Sequence, residues 1–239
     1  MRLGSCTAAS SFPGFAPPLT FPPLQVFLPR WSPDGSEIAF YAHKPGLPDE
    51  VYLVSAKGGE PKKLTSGKHN DLDPNWSPNG DSLIFERSAW KVRGAHRPTS
   101  ICILNVKTRQ VSTLPGSVGM VSPRWSPNGR YVAAMPADSS GLMLFSFATR
   151  KWTELLQMNI GYPNWSADSK YIYFDRFDKP WGIERLRLRD DKVKTVASVA
   201  RRKHLWTLAT WTAPAPDGSP MLLRDASLQE IYAVEWSAH

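Results

Sequence analysis

The sequence predicts an all-β fold built from repeated four-stranded antiparallel units, and three observations lead to that prediction. A short phrase, WSPDG at 31–35, recurs as WSPNG at 76–80 and 125–129 and as WSADS at 165–169. The recurrences lie about 40–50 residues apart, a period typical of repeat proteins. Between them lie short alternating apolar runs bounded by turn residues, and no long helical periodicity competes with these runs.

The second unit shows how one repeat forms a four-stranded sheet. LDPNW (72–76) predicts a first strand, and the turn SPNG leads into a second strand, DSLIFE (81–86). In that turn Pro presets the φ angle of the second position, and Gly accepts a positive φ at the last position. SICILNV (100–106) and VSTLP (111–115) predict the third and fourth strands. Four short antiparallel strands joined by tight turns are typical of one β-propeller blade.

We therefore predict a β-propeller of about five four-stranded antiparallel blades over 21–239, after a disordered Pro- and Ser-rich leader at 1–20. The fifth unit departs from the pattern, because Pro214 stands where the other units have Trp and no fourth strand is evident. We expect a ring that closes imperfectly or a fragment of a larger propeller, since an unpaired sheet edge is unfavourable. The predicted blades cover 21–66, 67–115, 116–157, 158–198 and 199–239.

The repeated phrase is expected to be structural. Its Trp side chains should be largely buried at equivalent places between sheets, and its Gly residues should permit the chain reversal. These structural residues are Trp31, Gly35, Trp76, Gly80, Trp125, Gly129, Trp165 and Gly218.

Composition limits the function only loosely. The formal net charge of +8 could attract nucleic acid, anionic lipid or acidic proteins, although a dispersed positive surface explains the charge as well. We find no apolar run of transmembrane length and no signal peptide. Cys6 and Cys102 are far apart in sequence, so a disulfide framework is not indicated.

A search for catalytic, cofactor and metal motifs finds none with the required spacing. The Gly-x-Ser-x-Gly elbow of α/β-hydrolases is missing, and no Gly-rich phosphate loop is followed by Lys and Ser or Thr. His69 stands beside Asp71 and Asp73 and could coordinate a cation, but a polar connecting loop explains these residues as well. We therefore expect no enzyme activity, no cofactor and no metal.

The non-repeating loops supply the candidate binding residues. Because strands alternate in direction, loops between second and third strands emerge on the same side as the connections between blades, which we term the loop-rich face. The repeated turns emerge on the opposite side, the turn face. Basic and aromatic residues on the loop-rich face suit a phosphate or carboxylate partner, although a solvated loop explains them too. They are Arg87, Trp90, Lys91, Arg93, His96, Arg97, Trp181, Arg201, Arg202 and Lys203.

The pattern Pro-x-Trp-Ser-Pro-Asp/Asn-Gly, well formed at 29–35 and 74–80, resembles the repeat of TolB-type β-propellers, a WD-repeat-like group. The resemblance extends over about 25–239. The C-terminal stretch MLLRDASLQEIYAVEW also resembles propellers attached to bacterial winged-helix regulators or protein kinases. Together these likenesses imply a sensor-like propeller in the periplasm or cytoplasm of a bacterium.

Three functions follow as hypotheses. The first is a non-catalytic, monomeric propeller that binds an unknown protein or small ligand on the loop-rich face. The alternative is the accessory propeller of a prolyl-oligopeptidase-type peptidase or other enzyme whose catalytic domain is absent. A nucleic-acid-associated protein is a second alternative suggested by charge alone, and we do not expect nucleic acid to be the partner. Fold does not decide among them.

Overall fold

The protein is an all-β propeller with four complete four-stranded antiparallel blades. The structure is a computed structural model that describes residues 19–20, 23–89, 98–198, 212–214 and 220–222. In each blade the four strands follow one another in chain order across the sheet. No described residues form a helix long and apolar enough to cross a bilayer.

The first two blades comprise eight strands. They are β1 (Gln25–Trp31), β2 (Glu37–His43), β3 (Glu50–Ser55) and β4 (Lys62–Lys63), then β5 (His69–Trp76), β6 (Ser82–Ala89), β7 (Thr99–Asn105) and β8 (Val111–Thr113).

The third and fourth blades have the same order. They comprise β9 (Met120–Trp125), β10 (Tyr131–Pro136), β11 (Gly141–Ser146) and β12 (Lys151–Gln157), then β13 (Ile160–Trp165), β14 (Tyr171–Arg176), β15 (Gly182–Arg187) and β16 (Lys192–Ser198).

We predicted about five four-stranded blades, and the described residues form four. In the fifth unit the structure describes a two-stranded hairpin, β17 (Thr212–Pro214) with β18 (Pro220–Leu222). The strand β17 contacts β13 and β14 of the fourth blade. Residues 1–18 of the predicted leader and Gly218 lie outside the described residues.

The core lies between blades, because successive residues of a strand point to opposite faces of the sheet. On β6, Ile84 packs toward the third blade and Phe85 toward the first, and both side chains are fully buried. The first strands β1, β5, β9 and β13 contact one another in sequence, so they line the axis of the propeller.

The repeated turns are held by a serine that the sequence analysis did not single out. In the third blade the Ser126 hydroxyl donates to Asn128 Oδ1 at 2.8 Å and accepts from the Tyr131 amide at 2.9 Å. The Gly129 amide donates to the Ser126 carbonyl, which closes the turn. Equivalent bonds are made by Ser32, Ser77 and Ser166.

The fourth blade keeps this turn although its last residue is Ser169 instead of Gly. Ser169 has a φ of 58°, close to the 74° of Gly129 at the equivalent position. This left-handed conformation is unfavourable for a residue with a Cβ. The Ser169 hydroxyl in turn accepts a hydrogen bond from the Asn128 amide of the preceding blade. The Ser169 side chain, where the other blades have Gly, therefore also links the third and fourth blades.

The expectation that all four tryptophans are buried is wrong for Trp31. Trp76 and Trp165 are buried, Trp125 is partly buried, and Trp31 is 61% exposed. The difference arises because these tryptophans pack against the preceding blade. Trp76 Nε1 donates to the Arg30 carbonyl of the first blade, and Trp165 Nε1 donates to the Arg124 carbonyl of the third. Trp31 belongs to the first blade, and within the described residues no blade precedes it.

Candidate functional site

The candidate site starts at the first strands, where every blade has the same irregularity. Pairing of each first strand with its second strand shifts register just before the Pro-x-Trp segment. Proline cannot donate to the sheet, so its presence in a strand favours a β-bulge. The bulged residues with positive φ are Leu28, Asp73, Ser122 and Tyr162.

In the second blade this bulge directs a carboxylate between two arginines. Arg124 Nη2 lies 2.9 Å from Asp73 Oδ2, and Arg30 Nη2 lies 3.6 Å from Asp73 Oδ1. The three side chains come from the first, second and third blades and are 4–12% exposed. We term Arg30, Asp73 and Arg124 the inner cluster. It joins three blades through one carboxylate and contains two positive charges for one negative charge.

Burial and neighbouring charges shift two pKa values at the inner cluster. Burial, followed by the neighbouring Arg124 guanidinium, lowers the pKa of Arg30 to about 10, while Asp73 opposes that decrease. Tyr41 lies on the adjacent strand β2, where burial and then the carboxylates Asp49, Asp73 and Glu86 raise its pKa to about 12. With these pKa values Arg30 remains cationic, and Tyr41 remains neutral, at physiological pH.

The residue type between Pro and Trp decides which blades contribute an arginine to the inner cluster. This position is Arg in the first and third blades and Asn in the second and fourth. The Asn75 side chain accepts a hydrogen bond from the Trp125 amide at 2.8 Å, so it links neighbouring blades. Sequence analysis missed Arg30 and Arg124, although their alternation with Asn75 and Asn164 was a readable signal.

The loop-rich face is defined by hydrogen bonds between loops that are distant in sequence. The Asp71 amide, at the start of the second blade, donates to the Asp49 carbonyl in the β2–β3 loop. The Ile160 amide likewise donates to the Ser139 carbonyl in the β10–β11 loop. These bonds show that second-to-third loops and connections between blades share one side of the propeller.

The structure describes two of the predicted binding residues, Arg87 and Trp181. Arg87 forms two hydrogen bonds of 2.7 and 2.9 Å with the buried carboxylate of Asp71, which raise the pKa of Arg87. Arg87 therefore has a structural partner. Trp181 is partly exposed in the β14–β15 loop, and the ammonium of Lys179 lies 5.3 Å from its ring centroid.

The other predicted binding residues lie outside the described residues. They are Trp90, Lys91, Arg93, His96, Arg97, Arg201, Arg202 and Lys203. Their assignment to a binding face stays a prediction.

The residues near His69 do not form a cation site. Asp71 is paired with Arg87, and Asp73 is paired with the arginines of the inner cluster. Across the described part of the chain, no three His, Cys, Asp or Glu residues are grouped so that they could hold a metal ion.

Comparisons with known proteins connect this architecture to a fold type. No protein-family model matches the chain. The crystal structure of TolB from Acinetobacter baumannii aligns with a TM-score of 0.66 at 19% identity, covering 82% of this chain and 47% of that chain. The chain has a TolB-like β-propeller fold. A prolyl endopeptidase structure shows the fold as well, with a TM-score of 0.53, 13% identity, and coverage of 74% and 30%.

Among curated proteins, the uncharacterized peptidase YuxL from Bacillus subtilis is 30% identical over 148 residues, which are 61% of this TolB-like chain and 21% of YuxL. The chain thus spans about a fifth of the length of that relative. The predicted likeness to propellers of winged-helix regulators and kinases finds no support in these relatives.

Proposed function

We propose that this TolB-like propeller is a non-catalytic binding module that uses its loop-rich face to hold a protein partner or small ligand. The observation that supports the proposal most strongly is the difference between the two faces. On the turn face, Ser and Asp or Asn side chains of the repeated turns bond to one another. Their hydrogen-bonding capacity is used within each turn.

On the loop-rich side, charged and aromatic groups come from loops and from different blades. His43 Nδ1 lies 2.8 Å from Asp49 Oδ1 in the first blade, and Lys179 lies beside Trp181 in the fourth. Loops held by a rigid scaffold are where binding residues usually lie. This placement favours recognition of a partner on the loop-rich face.

Site-specific photo-crosslinking tests the proposed face. A photoreactive amino acid replaces Trp181 on the loop-rich face, and a matched variant carries it at Lys170, an exposed residue that follows the repeated turn of the same blade. In the cells that produce the protein, we expect a reproducible cross-linked species from position 181 that mass spectrometry can identify. Cross-linking from position 170 alone would contradict the proposal.

An accessory role beside a peptidase domain is the second candidate function. It is favoured by the similarity to YuxL, which is named as a peptidase, and by the fold shared with a prolyl endopeptidase. A fluorophosphonate probe that labels active serine hydrolases tests whether the chain itself is catalytic. We expect no labelling of the purified chain, and labelling abolished by mutation of a single serine would overturn the non-catalytic proposal. A peptidase domain cross-linked to position 181 would support the accessory role.

A further inference from the structure

The outer half of the fourth blade carries basic side chains on the sheet face that points away from the third blade. Ile172 and Leu186 are fully buried in the core between the third and fourth blades. Because successive residues of a strand point to opposite faces, the residues next to Leu186 lie on the other face. They are Arg185 and Arg187 on β15, with their cross-strand partners Lys194 and Lys192 on β16. We term these four residues the basic patch.

In the other three blades the position equivalent to Arg185 is aliphatic and packs against the next blade. Leu53, paired with Ala39, packs against the second blade, and Leu144, paired with Ala133, packs against the fourth. Ile103 of the second blade packs in the same way against the third. A guanidinium group is unfavourable in such a dry contact between sheets. Arg185 therefore suits a charged contact at a position where the repeat otherwise has an apolar one.

The basic patch is accessible and only partly compensated by the protein's own carboxylates. Lys192 and Lys194 are exposed, and Arg185 and Arg187 are partly exposed. Arg187 donates two hydrogen bonds, of 2.8 and 2.7 Å, to the carboxylate of Asp190. Within the described part of the chain, Arg185, Lys192 and Lys194 form no salt bridge. Three positive charges of the patch thus lack a paired carboxylate there.

Arg185 is also held in place by an aromatic ring. Its guanidinium carbon lies 4.6 Å from the centroid of the Tyr171 ring, on the neighbouring strand β14. A guanidinium over an aromatic ring keeps its in-plane N–H groups available for an anion. The contact therefore orders the Arg185 side chain without using its hydrogen-bond donors.

The spacing of the basic patch favours carboxylates on an extended chain. Arg187 with Lys192 and Arg185 with Lys194 form two rows that are two residues apart along the strands, or about 7 Å. Alternate side chains of an extended peptide have the same spacing, so carboxylates at alternate positions match both rows. Asp190 and Asp191, in the turn between β15 and β16, oppose a continuous run of phosphates beside the patch.

We propose that the basic patch is a docking surface for an acidic, extended segment of a protein partner. Arg185 and Lys194 bind one carboxylate of the segment, and Lys192 beside Arg187 binds the next. The patch lies on a sheet face and not in the loops between strands. It is therefore a second binding surface, beyond the proposed loop-rich face.

Isothermal titration calorimetry with model ligands tests the docking surface in the full chain. The probe is an acetylated and amidated peptide of alternating Glu and Thr, and the same peptide with Gln in place of Glu is the neutral control. An oligothymidylate with the same number of negative charges tests for a phosphate partner. At low ionic strength, where exposed charges are least screened, we expect saturable binding of the Glu peptide and weaker binding of the oligothymidylate. Failure of the Glu peptide to bind, or equal or tighter binding of the oligothymidylate, would overturn the proposal.

Charge-removing variants locate the binding of the Glu peptide. Arg185→Gln/Lys194→Gln should weaken it about fivefold, since each exposed ion pair contributes a modest free energy. Lys57→Gln/Lys62→Gln removes the same charge from exposed positions of the first blade and is the matched control. An equal loss of affinity in both variants would mean that net charge alone attracts the peptide, and would contradict a specific surface.

A single substitution guards against an effect on folding. Lys194 is exposed on β16, so Lys194→Gln should leave the melting temperature unchanged and still weaken the Glu peptide about twofold. Unchanged affinity in this variant would contradict the role of Lys194. Cross-linking from position 181 reports on the loop-rich face alone, so it can succeed or fail independently of this proposal.

Discussion

At the residue scale, the repeated turn is held by a serine that occupies the equivalent position in all four described blades. The Ser126 hydroxyl is fully buried and makes two hydrogen bonds that define the turn. We expect Ser126→Ala to lower the free energy of unfolding by about 1–3 kcal/mol, because it leaves buried groups unsatisfied. Ser112→Ala, at an exposed position of β8, should change it by less than about 0.5 kcal/mol. Equal effects in urea denaturation would contradict this role.

The two tryptophans at equivalent positions provide a second comparison. Trp165→Phe removes the hydrogen bond from Nε1 to the Arg124 carbonyl at a buried site, with an expected loss of about 1–3 kcal/mol. The same change at the exposed Trp31 should be nearly neutral. Thermal unfolding of the two variants measures the difference, and a larger effect at Trp31 would mean that this residue is packed in solution.

At the element scale, the turn of the first blade predicts a measurable pH dependence. Hydrogen bonds from the Ser32 hydroxyl and then from Ser36 lower the pKa of Asp34 from 3.8 to about 2. Since the folded-state pKa is below the unfolded value, the contribution to stability is present above about pH 4 and is lost as the pH falls toward 2. NMR titration should give a midpoint near 2, and Ser32→Ala should raise it; an unchanged midpoint in that variant would contradict the assignment.

The elements also show how far the sequence can predict this structure. Periodic apolar residues and turn residues at fixed spacing predicted the blades, because both signals are local in the chain. The inner cluster could not be found this way, since Arg30, Asp73 and Arg124 meet only when three blades are assembled around one axis. Pro74 within a strand indicates the bulge at Asp73. The consequence of that bulge, an Asp73 carboxylate directed toward two arginines, depends on how the blades pack and cannot be read from Pro74.

The same limit applies to Trp31 and Arg87. Burial of Trp31 was expected from its repeat, but burial depends on the neighbouring blade that receives the side chain. Arg87 was assigned to the binding face from its residue type, and its pairing with the buried Asp71 was not predicted; its role in binding stays a prediction. In both cases the residue type indicated the kind of contact, but the part of the chain that makes or lacks that contact is distant in sequence.

At the scale of the whole molecule, the residues that stabilise the propeller and the residues proposed to bind a partner lie on opposite faces. The repeated turns stabilise one face, and the non-repeating loops form the other, where Lys179 and Trp181 lie.

Once cross-linking has identified a partner, replacement of both Lys179 and Trp181 by Ala should weaken its binding at least about tenfold, because aromatic and basic anchors often dominate an interface. The melting temperature should change little, since both side chains are partly or fully exposed.

Recognition through the loop-rich face is tested by measuring the affinity of that partner for three proteins: the wild-type chain, the Lys179→Ala/Trp181→Ala variant and the Lys170→Ala variant. We expect weak binding by the loop-rich-face variant and wild-type binding by the turn-face variant Lys170→Ala. The reverse result, with binding lost only in Lys170→Ala, would place recognition on the repeated turns and contradict the account.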